Sequence, residues 1–174
     1  MSIEFLTAKA PAKVSEIAAL EARLAAALPE AFRRFLEDRG GGKPIPNQAL
    51  GESAQPLGVG VNRFFTVEEL TERHKDFGQR IPGDLLAIAD TEGGNLVCVA
   101  VDGDRTGAVY FWDHELEVGE GEPPSEANLT PLAADFERFL ECLVPLDVSG
   151  TEQPMQVVSA WIDPEFLASL ERDD

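Results

Sequence analysis

The chain has 174 residues and a formal net charge of −18, because 32 Asp and Glu oppose only 14 Lys and Arg. Hydrophobic residues make up 44% of it, which is enough for a packed core and excludes general disorder. We expect a single domain over 1–174. Apolar runs stay short of the ~20 residues that a membrane span needs, and the start of the chain lacks the features of a signal peptide. These features predict a cytoplasmic protein.

The acidic residues are concentrated in the second half of the chain. Residues 1–80 carry 11 Lys and Arg against 11 Asp and Glu, whereas residues 81–174 carry 3 Arg against 21 Asp and Glu. A strong, one-sided negative field repels nucleic acid and anionic lipid and speeds the capture of cationic proteins. We therefore expect a basic protein partner, and no nucleic acid or membrane partner. The alternative is a solvated acidic surface that serves solubility alone.

Two helices are predicted before residue 40. Apolar residues at helical spacing predict the first over 14–28. Pro29 suits the first turn of the second, which the glycines at 40–42 end. The stretch 40–60 is rich in Gly and Pro and has no clear period, yet a loop of that length without structure is uncommon in a compact domain. We expect a short strand within it.

A longer strand and a third helix follow. Residues 59–65 have the composition of a strand. Thr66 and Glu69 have the spacing of a capping box, in which each side chain accepts a hydrogen bond from the other residue's backbone N–H. This pattern predicts a helix that runs to about Phe77.

The chain then changes to strand patterns. A short strand is predicted over 85–89, and the apolar run 95–101 is typical of a central strand that is covered on both faces. The aromatic and β-branched run 108–112 predicts its neighbour. Between these two, residues 102–107 have the Asp-Gly and Thr-Gly chemistry of a hairpin turn.

An acidic loop is predicted over 115–128, and two further helices are predicted beyond it. Thr130 caps the first, with Pro131 in its first turn and an apolar face that continues to Leu143. Asp163 and Pro164 open the second. Helices before and after consecutive strands, with short hairpins between them, indicate an α+β fold: a single domain with helices packed against an antiparallel sheet.

The run 81–115 resembles the signature of the Smi/Knr-like branch of the SUKH superfamily; it reads IPGDLLAIADTEGGNLVCVAVDGDRTGAVYFWDHE. In that family an Ile-Pro segment precedes a short strand, an acidic turn with Gly-Gly-Asn, an apolar strand, a turn, and an aromatic strand ending in Trp-Asp-His-Glu. Those features stand here at 81–82, 93–95 and 110–115. The resemblance covers about 20–143, and 145–174 is an extension beyond it.

The resemblance implies one α+β domain with helices on an antiparallel sheet. Many bacterial members of the family are cytoplasmic immunity proteins, which bind and neutralise a cognate toxin of a contact-dependent or polymorphic toxin system, often a nuclease. Fungal members are regulatory scaffolds, so a regulatory interaction module is the second hypothesis. The family carries no agreed catalytic set, so no catalytic residue is assigned and we expect no enzyme activity.

Two patterns near residue 113 offer an enzymatic alternative. Asp113 and Glu115 could act as an acid–base pair. However, catalytic carboxylate pairs usually come from separate elements, and neighbouring acids at a strand end are typical of solvated or backbone-bonded groups. Residues 102–113 place oxygen-bearing side chains at the spacing of a calcium loop, but strands flank them where helices should stand. A hairpin turn explains them better, and a hydrolase stays the third hypothesis.

Ligands for metals are scarce. The chain has two His and two Cys, and Cys98 and Cys142 each lie in an apolar segment, as buried small hydrophobic residues do. We expect no cofactor, no metal site and a monomer.

Hairpin register indicates where a toxin would bind. The turn 90–95 adjoins the start of the strand whose partner ends at Trp112 and Asp113, so acidic side chains from both should meet at one end of the central hairpin. Trp112 is either a core aromatic or an interface anchor. The predicted toxin-facing residues are Asp90, Glu92, Trp112, Asp113, Glu115 and Glu117.

Overall fold

The computed structural model describes residues 3–50, 56–119 and 122–145. Within them the strands are β1 (Glu4–Phe5), β2 (Pro44–Ile45), β3 (Gln48–Leu50), β4 (Pro56–Phe64), β5 (Leu85–Thr91), β6 (Leu96–Ala100), β7 (Val109–Trp112), β8 (Leu129–Ala133) and β9 (Leu143–Val144). The helices are α1 (Val14–Leu24), α2 (Glu30–Arg39), α3 (Val67–Phe77) and α4 (Phe136–Glu141). Short 3₁₀ turns lie at Glu92–Gly94 and His114–Leu116.

Seven of these strands form one sheet in the order β8-β7-β6-β5-β4-β3-β9, and β1 pairs with β2. Each pairing between the described strands is antiparallel. From β4 to β8 each strand lies beside the next one in the sequence; short turns join β5 to β6 and β6 to β7, whereas α3 lies between β4 and β5. The predicted α+β fold, with helices on an antiparallel sheet, is confirmed.

A core rich in phenylalanine joins the helices to the sheet. Phe64 of β4 meets Phe35 of α2 edge-on, with 5.1 Å between ring centroids. Phe136 of α4 meets Phe64 at 5.7 Å and Phe32 of α2 at 5.0 Å, both edge-on. All four rings are buried. Edge-to-face packing at these separations is favourable, so the rings fix α2 and α4 against β4.

Several local predictions are confirmed. The stretch 40–60 holds short strands, β2 and β3, as expected of a long Gly- and Pro-rich segment. The capping box is present at the start of α3: Glu69 N donates to Thr66 Oγ1 at 3.3 Å, and Thr66 N donates to Glu69 Oε2 at 2.9 Å. β6 is buried at all of its positions, as predicted for a central strand.

The first helix is shorter than predicted, because it ends at Leu24 rather than at residue 28. Ala25 adopts a left-handed conformation with φ 52°. The Glu21 carboxylate then accepts hydrogen bonds from the Leu28 backbone N–H at 2.8 Å and from the Arg33 side chain. These bonds hold the chain in the turn that leads into α2.

The prediction of a helix opening at Thr130 and Pro131 is wrong. These residues belong to β8, which pairs with β7 at the edge of the sheet. Proline lacks a backbone N–H, but an edge strand needs no donor on its outer side, so Pro131 is tolerated there. The helix begins later, at Phe136, where Asp135 Oδ1 accepts a hydrogen bond from Arg138 N at 2.8 Å.

The predicted last helix, with Asp163 and Pro164, lies outside the described residues. Among the residues that the structure does describe, no helix combines the length and the apolar character needed to cross a membrane.

Candidate protein-binding site

The register of the sheet brings the predicted site residues to one end of the central hairpins. Asp90 on β5 pairs with Leu96 on β6, and Leu96 pairs with Trp112 on β7. The turn Glu92–Gly94 therefore lies beside the turn His114–Leu116, which follows β7. Because antiparallel strands join at hairpins, Asn95 and His114, 19 positions apart in the chain, become neighbours here.

Asn95 ties these two turns together. Its side-chain oxygen Oδ1 accepts a hydrogen bond from the His114 backbone N at 2.9 Å and lies 2.8 Å from His114 Nδ1. An amide oxygen only accepts, so Nδ1 is the ring nitrogen that carries hydrogen in this arrangement. The Gly-Gly-Asn and Trp-Asp-His-Glu segments are thus two halves of one hydrogen-bonded unit.

Asp113 has a structural role in the second turn. Its Oδ1 accepts a hydrogen bond from Glu115 N at 2.9 Å, which caps the 3₁₀ turn. Its backbone exchanges hydrogen bonds with Asn128: Asp113 N donates to the Asn128 carbonyl at 3.0 Å, and Asn128 Nδ2 donates to the Asp113 carbonyl at 3.1 Å. These bonds hold the chain so that Glu115 and Leu116 face solvent.

Arginines from elsewhere in the chain pair with two of the predicted carboxylates. Asp90 Oδ2 lies 3.4 Å from Arg63 Nε, and Glu117 accepts two hydrogen bonds from Arg80, at 2.7 Å from Nε and 2.6 Å from Nη2. Both arginines belong to the electrically balanced first 80 residues. Asp90 and Glu117 therefore carry less open charge than the sequence indicates.

The remaining open charge is concentrated on three carboxylates. Glu92 and Glu115 are exposed, and Asp113 is partly exposed. Among the described residues, no Lys or Arg side chain forms an ion pair with any of them. Leu116 stands next to them with 62% of its surface exposed. We call this set the acidic turn surface; it consists of Glu92, Asp113, Glu115 and Leu116.

Trp112 is a core residue. It is 0% exposed and meets Phe77 of α3 edge-on at 5.9 Å between ring centroids. The structure therefore corrects its predicted place on a toxin-facing surface: the indole lies beneath Arg80, whose guanidinium carbon is 5.5 Å from the ring, and not at the surface.

Trp112 is one end of a stack in which arginines and aromatic rings alternate. Arg80 also lies 4.8 Å from the Phe77 ring, and Arg73 lies 5.9 Å from Phe77 and 5.6 Å from the Phe65 ring. Arg63 closes the other end at 5.4 Å from Phe65. Each separation is within cation–π range. The stack connects β4, α3 and β7. Its two outermost arginines, Arg63 and Arg80, form the ion pairs with Asp90 and Glu117.

Pairing with arginine shifts two carboxyl groups toward their charged forms. The Arg80 hydrogen bonds hold the pKa of the Glu117 carboxyl below its usual range. The Arg105 side chain does the same for the pKa of Asp84, through bonds of 2.6 and 2.9 Å. A depressed folded-state pKa adds stability above the ordinary pKa, and this is lost as pH falls. The contribution of both pairs should therefore begin to fall below about pH 4 and be lost once the pH is below the folded-state pKa of each group.

Arg80→Gln is expected to raise the pKa of Glu117 toward its ordinary value, because the variant loses the guanidinium that stabilises the carboxylate. The loss of stability on acidification below about pH 4 should then be smaller than in the wild type. NMR titration of the Glu117 side-chain carboxyl carbon measures the shift. Arg105→Gln is the matched control: it should raise the pKa of Asp84 and leave Glu117 unchanged. An unaltered Glu117 titration in Arg80→Gln would show that the pair does not form.

Sequence reasoning missed Leu116 and Arg80. Leu116 gave a local signal, a large apolar residue between two acids just past a strand end. Arg80 gave none, since its contact with Glu117 spans 37 positions of the chain. Both contribute to how the surface is presented: Leu116 as exposed apolar area, and Arg80 as the residue that fixes the start of the acidic loop.

The calcium-loop pattern folds as a hairpin turn. Asp102 Oδ1 accepts a hydrogen bond from Gly103 N at 2.8 Å, and Thr106 Oγ1 donates to the Gly103 carbonyl at 2.7 Å. β7 then carries Asp113 to the far end of the strand. Across the described ranges 3–50, 56–119 and 122–145, no three His, Cys, Asp or Glu side chains group as metal ligands would.

Comparison with known proteins supports the resemblance. The model of the SMI1/KNR4 family (SUKH-1) matches residues 11–142. The SPbeta prophage-derived uncharacterized protein YokK of Bacillus subtilis (strain 168) is 29% identical over 93 residues, which cover 53% of this chain and 44% of that protein. The match thus spans less than half the length of this relative. Because the family model covers well over half of the chain, including both turns of the site, the protein belongs to the SMI1/KNR4 (SUKH-1) family.

Proposed function

We propose that the protein is a cytoplasmic immunity protein that binds a cognate toxin through the acidic turn surface and neutralises it by occlusion, without catalysis. Proteins of this family are often immunity proteins that bind a partner protein. The observation that carries the proposal is the set of open carboxylates at Glu92, Asp113 and Glu115, on two turns that hydrogen bonds hold together and that also expose Leu116.

The surface has the composition of a binding site. Protein interfaces combine a buried apolar anchor with a polar rim that sets orientation and partner choice. Leu116 supplies exposed apolar area, and the exposed residues Glu92 and Glu115, one in each of the two adjoining turns, supply charge. The Asn95 bonds to His114 hold the two turns in register, so little conformational entropy is lost when a partner docks.

The charge selects a basic partner. A nuclease cleft must attract phosphate, so it carries Lys and Arg. An acidic inhibitor matches such a cleft, while repulsion keeps nucleic acid away from the inhibitor itself. Covering the cleft is then sufficient to stop the toxin, and the inhibitor needs no active site of its own.

A protection assay in cells tests the function directly. The candidate toxin is the product of the gene beside the one that encodes this protein, expressed from an inducible promoter with and without the immunity protein. The expected result is that growth is restored and that the two proteins copurify. Copurification without restored growth would overturn neutralisation and favour the regulatory interaction module.

The association rate with the toxin is expected to fall by at least an order of magnitude between about 20 mM and about 500 mM salt, because attraction between opposite charges is screened. The double variant Glu92→Gln/Glu115→Gln should lower the rate about fivefold at low salt and flatten its salt dependence. Stopped-flow fluorescence or surface plasmon resonance measures both effects.

The matched control is Asp102→Asn/Asp104→Asn, which removes the same charge from the turn at the other end of β6. Five residues of strand, about 3.3 Å each, separate the two turns. A control that slows association as much as the Glu92/Glu115 variant would show that only the net charge matters. A rate that is insensitive to salt would rule out electrostatic capture.

A further inference from the structure

A second feature lies beside the acidic turn surface. The segment between α3 and β5 and the loop that follows β7 form the two walls of a cleft of about 860 Å³. We call it the Arg80 cleft; the residues that matter here are Gln79, Arg80 and Gly83 on one wall and Glu117, Glu122 and Pro123 on the other. Pockets of about 300–1,000 Å³ enclose a ligand of drug size, so the cleft can hold a short stretch of peptide.

The Arg80–Glu117 pair sets the distance between the walls. Arg80 belongs to one wall and Glu117 to the other, and two hydrogen bonds of 2.7 and 2.6 Å join them. The Arg80 guanidinium is also held from below by the rings of Phe77 and Trp112. A bidentate, stacked arginine has little freedom to move. The cleft is therefore preformed by the same contacts that order the start of the acidic loop.

The charge of the cleft favours a cation. Arg80 and Glu117 neutralise each other, so among the described residues that line the cleft Glu122 is left as the unpaired negative charge. Glu122 is exposed, and no Lys or Arg among the described residues forms an ion pair with it. The Glu122 carboxylate is thus open to a basic group from outside.

The walls favour an extended backbone over a bulky side chain or helix. Glycines at positions 78, 83 and 119 contribute no side chains to the lining. Pro123 and Pro124 lack backbone N–H groups, so their carbonyl oxygens are the only backbone groups through which they can hydrogen-bond a ligand. An extended peptide can donate its N–H groups to such oxygens while its side chains alternate between the two walls.

We propose that the Arg80 cleft receives an extended, basic segment of the partner protein, with a Lys or Arg side chain against Glu122. The inference rests on the proposed function, for which it names a second point of contact next to the acidic turn surface. It places the specificity of the complex in the cleft, because Gln79, Glu122 and Pro123 line it, and the side chains of Gln79 and Glu122 form no hydrogen bond or ion pair among the described residues.

Gly83 makes a sharp test possible. A Cβ atom built at this position meets no atom within 4 Å, and its φ lies outside the left-handed region. Gly83→Phe therefore fills the cleft without straining the backbone. It is expected to weaken toxin binding about tenfold or more, with the melting temperature unchanged. Ala18→Phe, which adds the same ring at an exposed position of α1 outside the cleft, is the matched control and should bind as the wild type does.

Charge is tested separately. Glu122→Gln is expected to weaken toxin binding about fivefold, while Asp104→Asn, an exposed acid in the β6–β7 turn, should leave it unchanged. Toxin that binds Gly83→Phe and Glu122→Gln as tightly as the wild type would overturn the cleft inference and leave the proposed function standing.

A probe that needs no toxin separates the two proposals. In ¹⁵N-resolved NMR spectra, N-acetyl-argininamide is expected to shift the backbone amides of Gly78, Gly83 and Gly119, and N-acetyl-glutaminamide is not. These shifts should be absent in Gly83→Phe. If the neighbouring gene product fails to bind, the proposed function fails, and the probe alone then decides on the cleft. An absence of shifts at these glycines would overturn the inference.

Discussion

Trp112→Ala is expected to lower the free energy of unfolding by about 3–5 kcal/mol, the usual cost of removing a large buried aromatic side chain. The indole is fully buried and packs edge-on against Phe77, so its loss leaves a cavity between β7 and α3. The variant also removes the ring beneath Arg80, the arginine that holds Glu117. Urea denaturation followed by circular dichroism measures the change.

Two further variants identify the cause of this effect. Trp112 Nε1 has no hydrogen-bond partner among the described residues, so Trp112→Phe loses packing volume but no hydrogen bond and should cost only about 1–2 kcal/mol. Leu116→Ala, at an exposed residue of the same segment, should leave stability unchanged and weaken toxin binding. A Trp112→Ala protein as stable as the wild type would contradict the placement of Trp112 in the core. Because Trp112→Ala is expected to destabilise the fold, a loss of binding in this variant alone is no evidence that Trp112 contacts the toxin.

Gly40→Ala is expected to destabilise the protein by about 3 kcal/mol, because two separate costs fall on one residue. Gly40 has φ +65°, in the left-handed region where a side chain is strained. A Cβ atom there would also lie 1.8 Å from the Ala10 carbonyl oxygen, a backbone atom that cannot rotate away. The segment before α1 would have to leave its place against the end of α2.

The matched control for this prediction is Gly83→Ala, at a glycine with open space around it and no left-handed φ. It should be neutral or stabilising by up to about 1 kcal/mol, since alanine restricts the unfolded chain. The denaturation midpoint should therefore fall clearly in Gly40→Ala and stay unchanged or rise in Gly83→Ala. Equal midpoints would mean that the Ala10 segment moves aside without cost.

The central strands were predictable because a strand buried on both faces has a continuous run of apolar residues in the sequence. The run 95–101 differs from β6, Leu96–Ala100, by one residue at each end, and 108–112 differs from β7 by one. The third helix was equally clear, since its cap and its period agree. Where local signals and tertiary contacts point the same way, sequence reasoning is sufficient.

The edge of the sheet was not predictable for the opposite reason. Thr130 and Pro131 carry a helix-start signal that is physically sound, but pairing with β7 outweighs it. That pairing depends on a loop bringing Leu129 back to Trp112, and nothing near Thr130 records it. The true start signal, Asp135 three residues before Arg138, is equally short and stands close by.

The closeness of the candidate site residues to one another was predictable, but which of their charges have ion-pair partners was not. Hairpin register placed residues 90–95 beside 112–115, and the structure has that arrangement. A count of charges along the sequence, however, assigns no partner to the carboxylates of Asp90 and Glu117. In the structure, Arg63 and Arg80, which belong to the electrically balanced residues 1–80, pair with them. Ion pairs form across the fold, so the open charge of a surface becomes visible only when tertiary neighbours are known.

The pairing of β3 with β9 has a consequence for synthesis on the ribosome. Ala49 pairs with Leu143. One flank of β3 therefore stays unpaired until almost the whole family domain has been translated. A nascent chain that has not yet delivered β9 presents unsatisfied N–H and C=O groups along this flank, which another chain could pair with. Within this domain the sheet is therefore completed late in synthesis, and a chain cut before Leu143 would leave this flank of β3 open to self-association.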